Sequence, residues 1–505
     1  MEDRLLDISA QGLRLTQQRN QPSSDEPTLP APAALRAAET TLPVPGTSSY
    51  LAGCAQEDTV RHIVEDIIPA LNGQGLSSRY FGFVTGGVLP IAEWADNVVS
   101  RMDQNVQVHL PGQTISTTVE HVALEMTAGL LRLGDGAWMG RTFTTGATAS
   151  NVLGLACGRE HVLNRRLGGE DTVGELGVLA ACLKAGVSEI QVLTSGAHSS
   201  LSKAASVVGL GRGSVKELRR SADKPWELDL GALEAALRKP GVASLIAVSA
   251  GEVNSGGFAL KDVAEWGKVR ELADKYGAWI HVDGAFGVFA RALDEREAYK
   301  TLRERVEGLT LADSITVDGH KLLNVPYDCG MFFTRSPAIM QSVFTNPNAA
   351  YLSAGAPSSI PSPLNIGLEN SRRFRALPAY AVLHSEGRTG FATLLSNMVQ
   401  LARNVASFVR DSEHYLLLPE GEASVDDDIF MTVLFRAKDA ALNQVLVDKI
   451  NQTRQLYVSG TSWAGEKAVR LAVSNWKVDA EKDFKVVASI LTAVAEGREF
   501  SIDNV

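Results

Sequence analysis

The stretch DSITVDGHKLLNVPYDCGMFFTR (313–335) decides the architecture of this chain. It passes from an apolar, β-branched segment (DSITVD, 313–318) through Gly319-His320-Lys321 and a short turn into a second apolar segment (GMFFTR, 330–335). Neither segment alternates apolar with polar residues, so each reads as a strand covered on both faces. Upstream, EIQVLTS (189–195), ASLIAVSA (243–250) and AWIHVD (278–283) have the same character, and helical spacing fills 200–209, 228–238, 261–276 and 296–307 between them. Buried strands alternating with amphipathic helices predict an α/β domain built on a largely parallel sheet.

Outward from that core, TVEHVALEMTAGLLRL (118–133) carries helical spacing and stops at Gly134, Asp135 and Gly136. A Pro/Ser/Asn/Gly-rich break occupies 345–371, followed by a long helical region (373–410) and a strand–helix–strand–helix pattern that predicts a smaller α+β domain. Residues 17–50 are rich in Pro, Ser and Thr without periodicity and read as an extended arm.

Composition removes several function classes. With 505 residues, 45% hydrophobic and 21% charged, the chain is long enough for two or three domains with substantial cores, which excludes disorder or coiled coil as descriptions of the whole. Its 48 Lys+Arg against 58 Asp+Glu give a net charge of -10, and no dense basic block appears, so nucleic acid is not expected as a partner. No run approaches the roughly 18 apolar residues of a membrane span, and the acidic start Met1-Glu2-Asp3-Arg4 has no secretory pattern. Cys54, Cys157, Cys182 and Cys329 lack metal-ligand or disulfide spacing, which predicts a cytoplasmic protein.

In sheets of this kind ligands collect at the carboxyl ends of the strands. Lys321 follows one such end, where desolvation can free its amine to form a Schiff base; the same pattern also describes a surface lysine beside a helix-start aspartate. HVDGAF (281–286) ends a strand in Asp283 with Gly284 and Ala285 behind it. That aspartate either caps the next helix or partners a pyridinium nitrogen, with a small residue beneath a flat ring. FTTGATASNVLGLACGRE (143–160) is a Thr/Gly/Ala turn opening into a helix, which describes both an anion site to which Thr148 adds a hydroxyl and an ordinary helix start. TSGAHSSLSKAA (194–205) puts His198 after another strand. No histidine pair has HExxH spacing, GLGRGS (209–214) follows a helix and lacks the last glycine of a dinucleotide fingerprint, and the G-x-S-x-G elbow is absent.

The order of these segments, a Gly/Thr turn, a histidine after a strand, HVDGA, DGHK, then a Pro-rich loop leading into SRRFRAL (371–377), resembles the group II amino-acid decarboxylases. This fold type I family uses pyridoxal 5'-phosphate and includes aromatic L-amino-acid, glutamate and histidine decarboxylases. The resemblance runs from about Ser77 to the C-terminus. It implies that Lys321 carries the cofactor as a Schiff base, that Asp283 holds the pyridine nitrogen, and that His198 and Ala285 lie against the two ring faces. Ala147, Thr148 and His320 match phosphate-binding positions, and Asp318 stands where many members have asparagine. Phe81, Phe83 and Thr85, in SSRYFGFVTGGVLP (77–90), match the stretch lining the substrate pocket and equally fit core positions. The resemblance further implies a homodimer acting on a small L-amino acid, aromatic or apolar. The chain then divides into an extended arm (1–50), a dimerisation segment (51–115), a cofactor-binding large domain (116–345), a mobile active-site loop (346–371) and a small domain (372–505).

Two departures bear on the reaction. Aromatic amino-acid decarboxylases carry a proton-donating tyrosine before the RRFR segment; SPLNIGLENS (362–371) has none, and Tyr351 lies well upstream. Many members have Gly-Thr-Thr where this chain reads AGEVNSGGF (250–258), which brings Asn254 forward as a cofactor-facing residue. Decarboxylation to the amine is the leading expectation. Oxidative deamination, transamination or carbon–carbon bond formation with the same cofactor is the alternative.

Overall fold

The computed structural model describes residues 27–134, 136–169, 171–346, 360–420 and 425–504. Tyr351, half of the 346–371 loop and the first half of the N-terminal arm lie outside these residues.

Seven strands form the central sheet: β1 (Gly140–Thr144), β2 (Glu189–Thr194), β3 (Val215–Glu217), β4 (Val242–Ser249), β5 (Trp279–Asp283), β6 (Ser314–Asp318) and β7 (Gly330–Thr334), in the order β1-β7-β6-β5-β4-β2-β3. The pairs from β6 to β3 are all parallel, whereas β7 runs antiparallel to both β6 and β1. The reversal has a simple cause. A parallel return needs a crossover of about a dozen residues or more, usually through a full helix. The connection between β6 and β7 contains only the one-turn helix Gly319–Leu322.

The register brings the functional ends into one row. Ser249 pairs with Asp283, Asp283 with Thr316, Asp318 with Gly330, and Gly330 with Thr144. The helix Ala147–Leu167 packs against β4, β5, β6 and β7 and is buried over most of its length. Its small residues, Gly154, Ala156, Cys157 and Gly158 among them, allow that close approach.

The C-terminal part begins with a helix over Ala376–Asp411 that bends at Gly387 (φ 57, ψ -167) and packs on helices Pro90–Met102 and Ser116–Leu130. Beyond it, β8 (Tyr415–Leu418), β9 (Thr432–Ala437), β10 (Ser459–Trp463) and β11 (Glu466–Ala472) form an antiparallel sheet in the order β10-β11-β9-β8. The expected strand–helix–strand–helix pattern captures β9 and β11 and misses the short outer strands.

The arm is not extended throughout. Pro32–Thr41 is a helix with proline in its first turn, where the missing N–H costs nothing, and Thr28 is fully buried, its N–H donated to the Arg454 carbonyl at 2.6 Å. No helix among the described residues is long and apolar enough to cross a membrane.

Candidate active site

Asp318, Lys321 and His320 are joined by the turn that leaves β6. Asp318 is 2% exposed, and its Oδ1 accepts the backbone N–H of Ala147, the first residue of the long helix, at 2.6 Å. Its Oδ2 lies 3.0 Å from Lys321 Nζ and 3.5 Å from His320 Nε2. The Lys321 ammonium also stands 5.7 Å from the centre of the Phe286 ring. Thr148 follows Ala147 as an exposed residue of the same helix start.

One strand across, Asp283 ends β5. Asn151 Nδ2 donates to its Oδ2 at 2.9 Å, and among the described residues its Oδ1 receives only a long 3.3 Å bond from the Ala285 N–H, which leaves that oxygen able to take a ligand. Ala285 is buried at 8% exposure. His198 caps the helix Ser199–Val207, its Nδ1 accepting the Ser200 N–H at 3.2 Å. The residue keeps substantial surface, yet desolvation by the surrounding protein pushes its imidazole below the usual histidine value, with Asp283, Lys321, Arg470 and Asp318 all acting on it. The structure therefore brings Lys321, Asp283, His198, Asp318, His320, Ala147 and Ala285 to one end of the sheet.

The remaining candidates separate. Phe81 is a core residue, 1% exposed, its backbone bonded to Tyr457 and Ala472. Thr85 is 2% exposed and spends its hydroxyl on the Gly82 carbonyl. Phe83 alone of the three is open to an incoming molecule, 65% exposed and held at φ 56. The Asn254 amide donates to Glu252 Oε1 and accepts from Thr461 Oγ1 of β10 at 2.8 Å. Among the described contacts none joins Asn254 to Asp283, Asp318 or Lys321, so it stitches the turn after β4 to the small sheet.

The chemistry of this donor set fits pyridoxal phosphate: an amine, a half-free carboxylate, a small buried floor and a helix N-terminus. Two further observations concern the phosphate end. His320 Nδ1 is buried without a hydrogen-bond partner among the described residues. A Cβ added at Gly146 would stand 3.1 Å from His320 Cε1, so the glycine keeps the space between imidazole and helix start open.

A lysine, two aspartates and a histidine at aligned strand ends, beside a helix start, define the class of enzymes that bind pyridoxal phosphate on a doubly covered sheet. The chain belongs to the pyridoxal-dependent decarboxylase family, whose conserved domain matches residues 103–438. It is accordingly a pyridoxal-phosphate carboxy-lyase of amino acids. It is 28% identical over 333 residues to L-2,4-diaminobutyrate decarboxylase of Acinetobacter baumannii, covering 64% of this chain and 60% of that relative's length. It is 24% identical over 467 residues to tyrosine decarboxylase 2 of Narcissus pseudonarcissus, covering 89% and 87%. Two solved structures share the fold: Oryza sativa TDC with PLP and tryptamine (TM-score 0.81, 20% identity, 98% of both chains) and mouse CSAD (0.80, 16%, 98% and 99%).

Three residues at the site escaped sequence reasoning. Asn151 and His281 sit inside quoted segments but look like ordinary helix and strand positions. Arg470, in β11, is 4% exposed and donates to the Phe83 carbonyl at 2.6 Å and to the Val253 carbonyl, while its Nη2 is buried without a partner among the described residues. Burial, opposed by Glu252, lowers it to about 10, which leaves it charged at neutral pH. An arginine inside the apolar strand VRLAVSN was the available signal.

Proposed function

We propose that the chain converts an L-amino acid with an aromatic or apolar side chain into the amine and carbon dioxide, with Lys321 bonding the carbonyl carbon of the cofactor. The observation that carries this reading is the placement of Lys321, in the turn after β6, and of the half-free Asp283, ending β5, at the same end of adjacent parallel strands. In this reading Asp283 holds the ring nitrogen, His198 and Ala285 take the two ring faces, and Ala147, Thr148 and His320 hold the phosphate. When bound, the cofactor supplies a protonated ring that accepts the electron pair left as the carboxylate departs. Arg470, whose buried Nη2 has no partner among the described residues, is the candidate donor to a substrate carboxylate beside Phe83. Phe83, 65% exposed, favours a flat or apolar side chain.

The test is amine and carbon dioxide release from a panel of L-amino acids. Lys321→Ala should abolish both products and the borohydride-fixed cofactor; release that survives in the variant overturns the assignment.

A second reading rests on the absence of tyrosine from 362–371. Without a donor to protonate Cα, dioxygen can take the electron pair, so that amino acid, dioxygen and water give aldehyde, carbon dioxide, ammonia and hydrogen peroxide. A 4-hydroxyphenylacetaldehyde synthase of Rhodiola rosea is among the relatives, 24% identical over 356 residues. Peroxide and ammonia in step with carbon dioxide would select this reading.

The active form is read as a homodimer in the cytoplasm. Leu35, Ile63, Trp94, Met102 and Ile115, each at least 45% exposed on the N-terminal segments, supply an apolar surface for a second copy. The scattered spacing of the four cysteines supports a reducing compartment. Sedimentation at micromolar concentration tests the dimer.

A further inference from the structure

Behind Asp283 lies a chain of buried hydrogen bonds whose direction is forced from one end. A carboxylate only accepts, so the Asn151 amide must turn its NH₂ toward Asp283 Oδ2, 2.9 Å away. Asn151 Oδ1 then faces His281 Nε2 at 3.0 Å and Thr316 Oγ1 at 2.9 Å, and both must donate to it. Burial keeps the His281 imidazole neutral by lowering its pKa, so with the proton on Nε2 its Nδ1 accepts. The donor to Nδ1 is the Ser314 hydroxyl at 2.8 Å, whose oxygen in turn accepts from Trp279 Nε1 at 2.9 Å. Asn151 Nδ2 also donates to Ser200 Oγ at 3.2 Å. Because His198 Nδ1 accepts the Ser200 N–H at 3.2 Å, the Ser200 hydroxyl, oriented by the Asn151 amide, donates to the same Nδ1 at 2.7 Å, which leaves the His198 proton on Nε2.

Packing shows that this junction is built. Asn151, His281, Thr316 and Ser314 are each 0% exposed. Gly154 stands three residues after Asn151 on the same helix, and a Cβ there would fall 2.2 Å from His281 Cε1. The helix thus offers a slot for the imidazole and, one turn earlier, an amide that reads its Nε2–H.

We propose that Asn151 is the positioning residue of the site, one amide that aims the Asp283 carboxylate at the cofactor's ring nitrogen and fixes the tautomer of His198 on the ring face. This rests on the reading in which Asp283 holds that nitrogen. Asn151 touches neither cofactor nor substrate and acts through its two branches, with His281 holding its orientation from behind.

The test compares equilibrium affinities of the cofactor-free protein for pyridoxal phosphate and for the analogue with carbon in place of the ring nitrogen. The wild type should prefer the natural cofactor by about tenfold or more, the worth of one hydrogen bond to a charged group. Asn151→Ala should lose most of that preference, with affinity for the carbon analogue changed less than about twofold. Asn151→Asp, which opposes acceptor to acceptor, should lose it as well. Ser200→Ala, which cuts only the branch to His198, should keep the preference and lower kcat with KM little changed. Equal loss of both ligands in both Asn151 variants, or an unchanged preference, overturns the positioning role. A wild type that binds both ligands equally overturns the Asp283 reading itself, and the positioning role with it.

Discussion

Asp318 Oδ1 accepts the Ala147 N–H at 2.6 Å, so a carboxylate already sits on the start of the helix at which a phosphate would dock. The same side chain holds the Lys321 ammonium at 3.0 Å through its other oxygen. An arriving phosphate competes with a built-in anion for the Ala147 N–H. Asp318→Asn keeps the shape and removes the charge, and should tighten binding of inorganic phosphate by about tenfold through lost repulsion. Titration calorimetry with phosphate checks this; an unchanged or weaker affinity counts against Asp318 as the competing anion.

Four histidines desolvated by the surrounding protein set an acid limit on stability. Burial lowers the pKa of His281, His161, His198 and His320 below the ordinary histidine value of about 6.5. The unfolded chain then binds more protons than the folded one as pH falls below that value, so stability is complete above about pH 6.5 and declines below it. The melting temperature of the cofactor-free protein should be flat from about pH 8 to 7 and fall progressively toward pH 5. His281→Asn should melt lower at pH 8 but show a shallower fall; an equally steep fall would deny His281 a share.

Arg470 should divide binding from chemistry. If the unpartnered Nη2 takes a substrate carboxylate, Arg470→Lys retains the charge but loses the fork, and KM should rise roughly tenfold while kcat changes less. Steady-state kinetics on the best substrate measures the split. Equal losses in kcat and kcat/KM, with KM unmoved, would place Arg470 in the chemistry instead.

Arg372 and Glu120 are 2% and 5% exposed at their side chains and bonded by both guanidinium nitrogens, one contact being 2.7 Å. They tie the segment after the 346–371 loop to the helix Ser116–Leu130. Arg372→Met leaves Glu120 buried and alone, and should cost about 3–5 kcal/mol in urea unfolding. Adding Glu120→Leu should restore most of that loss, since it removes the orphaned charge; a double variant no more stable than the single one would contradict this.

The sheet was legible where strands are long and apolar on both faces. EIQVLTS, ASLIAVSA, AWIHVD, DSITVD and GMFFTR all mark real strands, and the carboxyl ends of the parallel strands among them, with the amino end of the antiparallel β7, mark the site. The direction of β7 was not read, because hydropathy carries no sign of direction and the short 319–329 connection was the only clue. Lys321 and Asp283 stood out because charge directly after an apolar run is conspicuous. Asn151 did not, since its role depends on His281 and Asp283, about 130 residues away and neighbours only through the sheet register. Asn254 looked exposed to a ligand because a Gly-rich turn after a strand hides the partners that the small sheet brings to it.

The Arg470–Phe83 contact spans 387 positions of chain, whereas the cluster from Ala147 to Lys321 is closed within the central sheet. During synthesis the lysine end therefore emerges from the ribosome long before the arginine that completes its wall. The wall that Arg470 and Phe83 close is therefore the last part of the site to be made, added to a sheet whose strands are already synthesised.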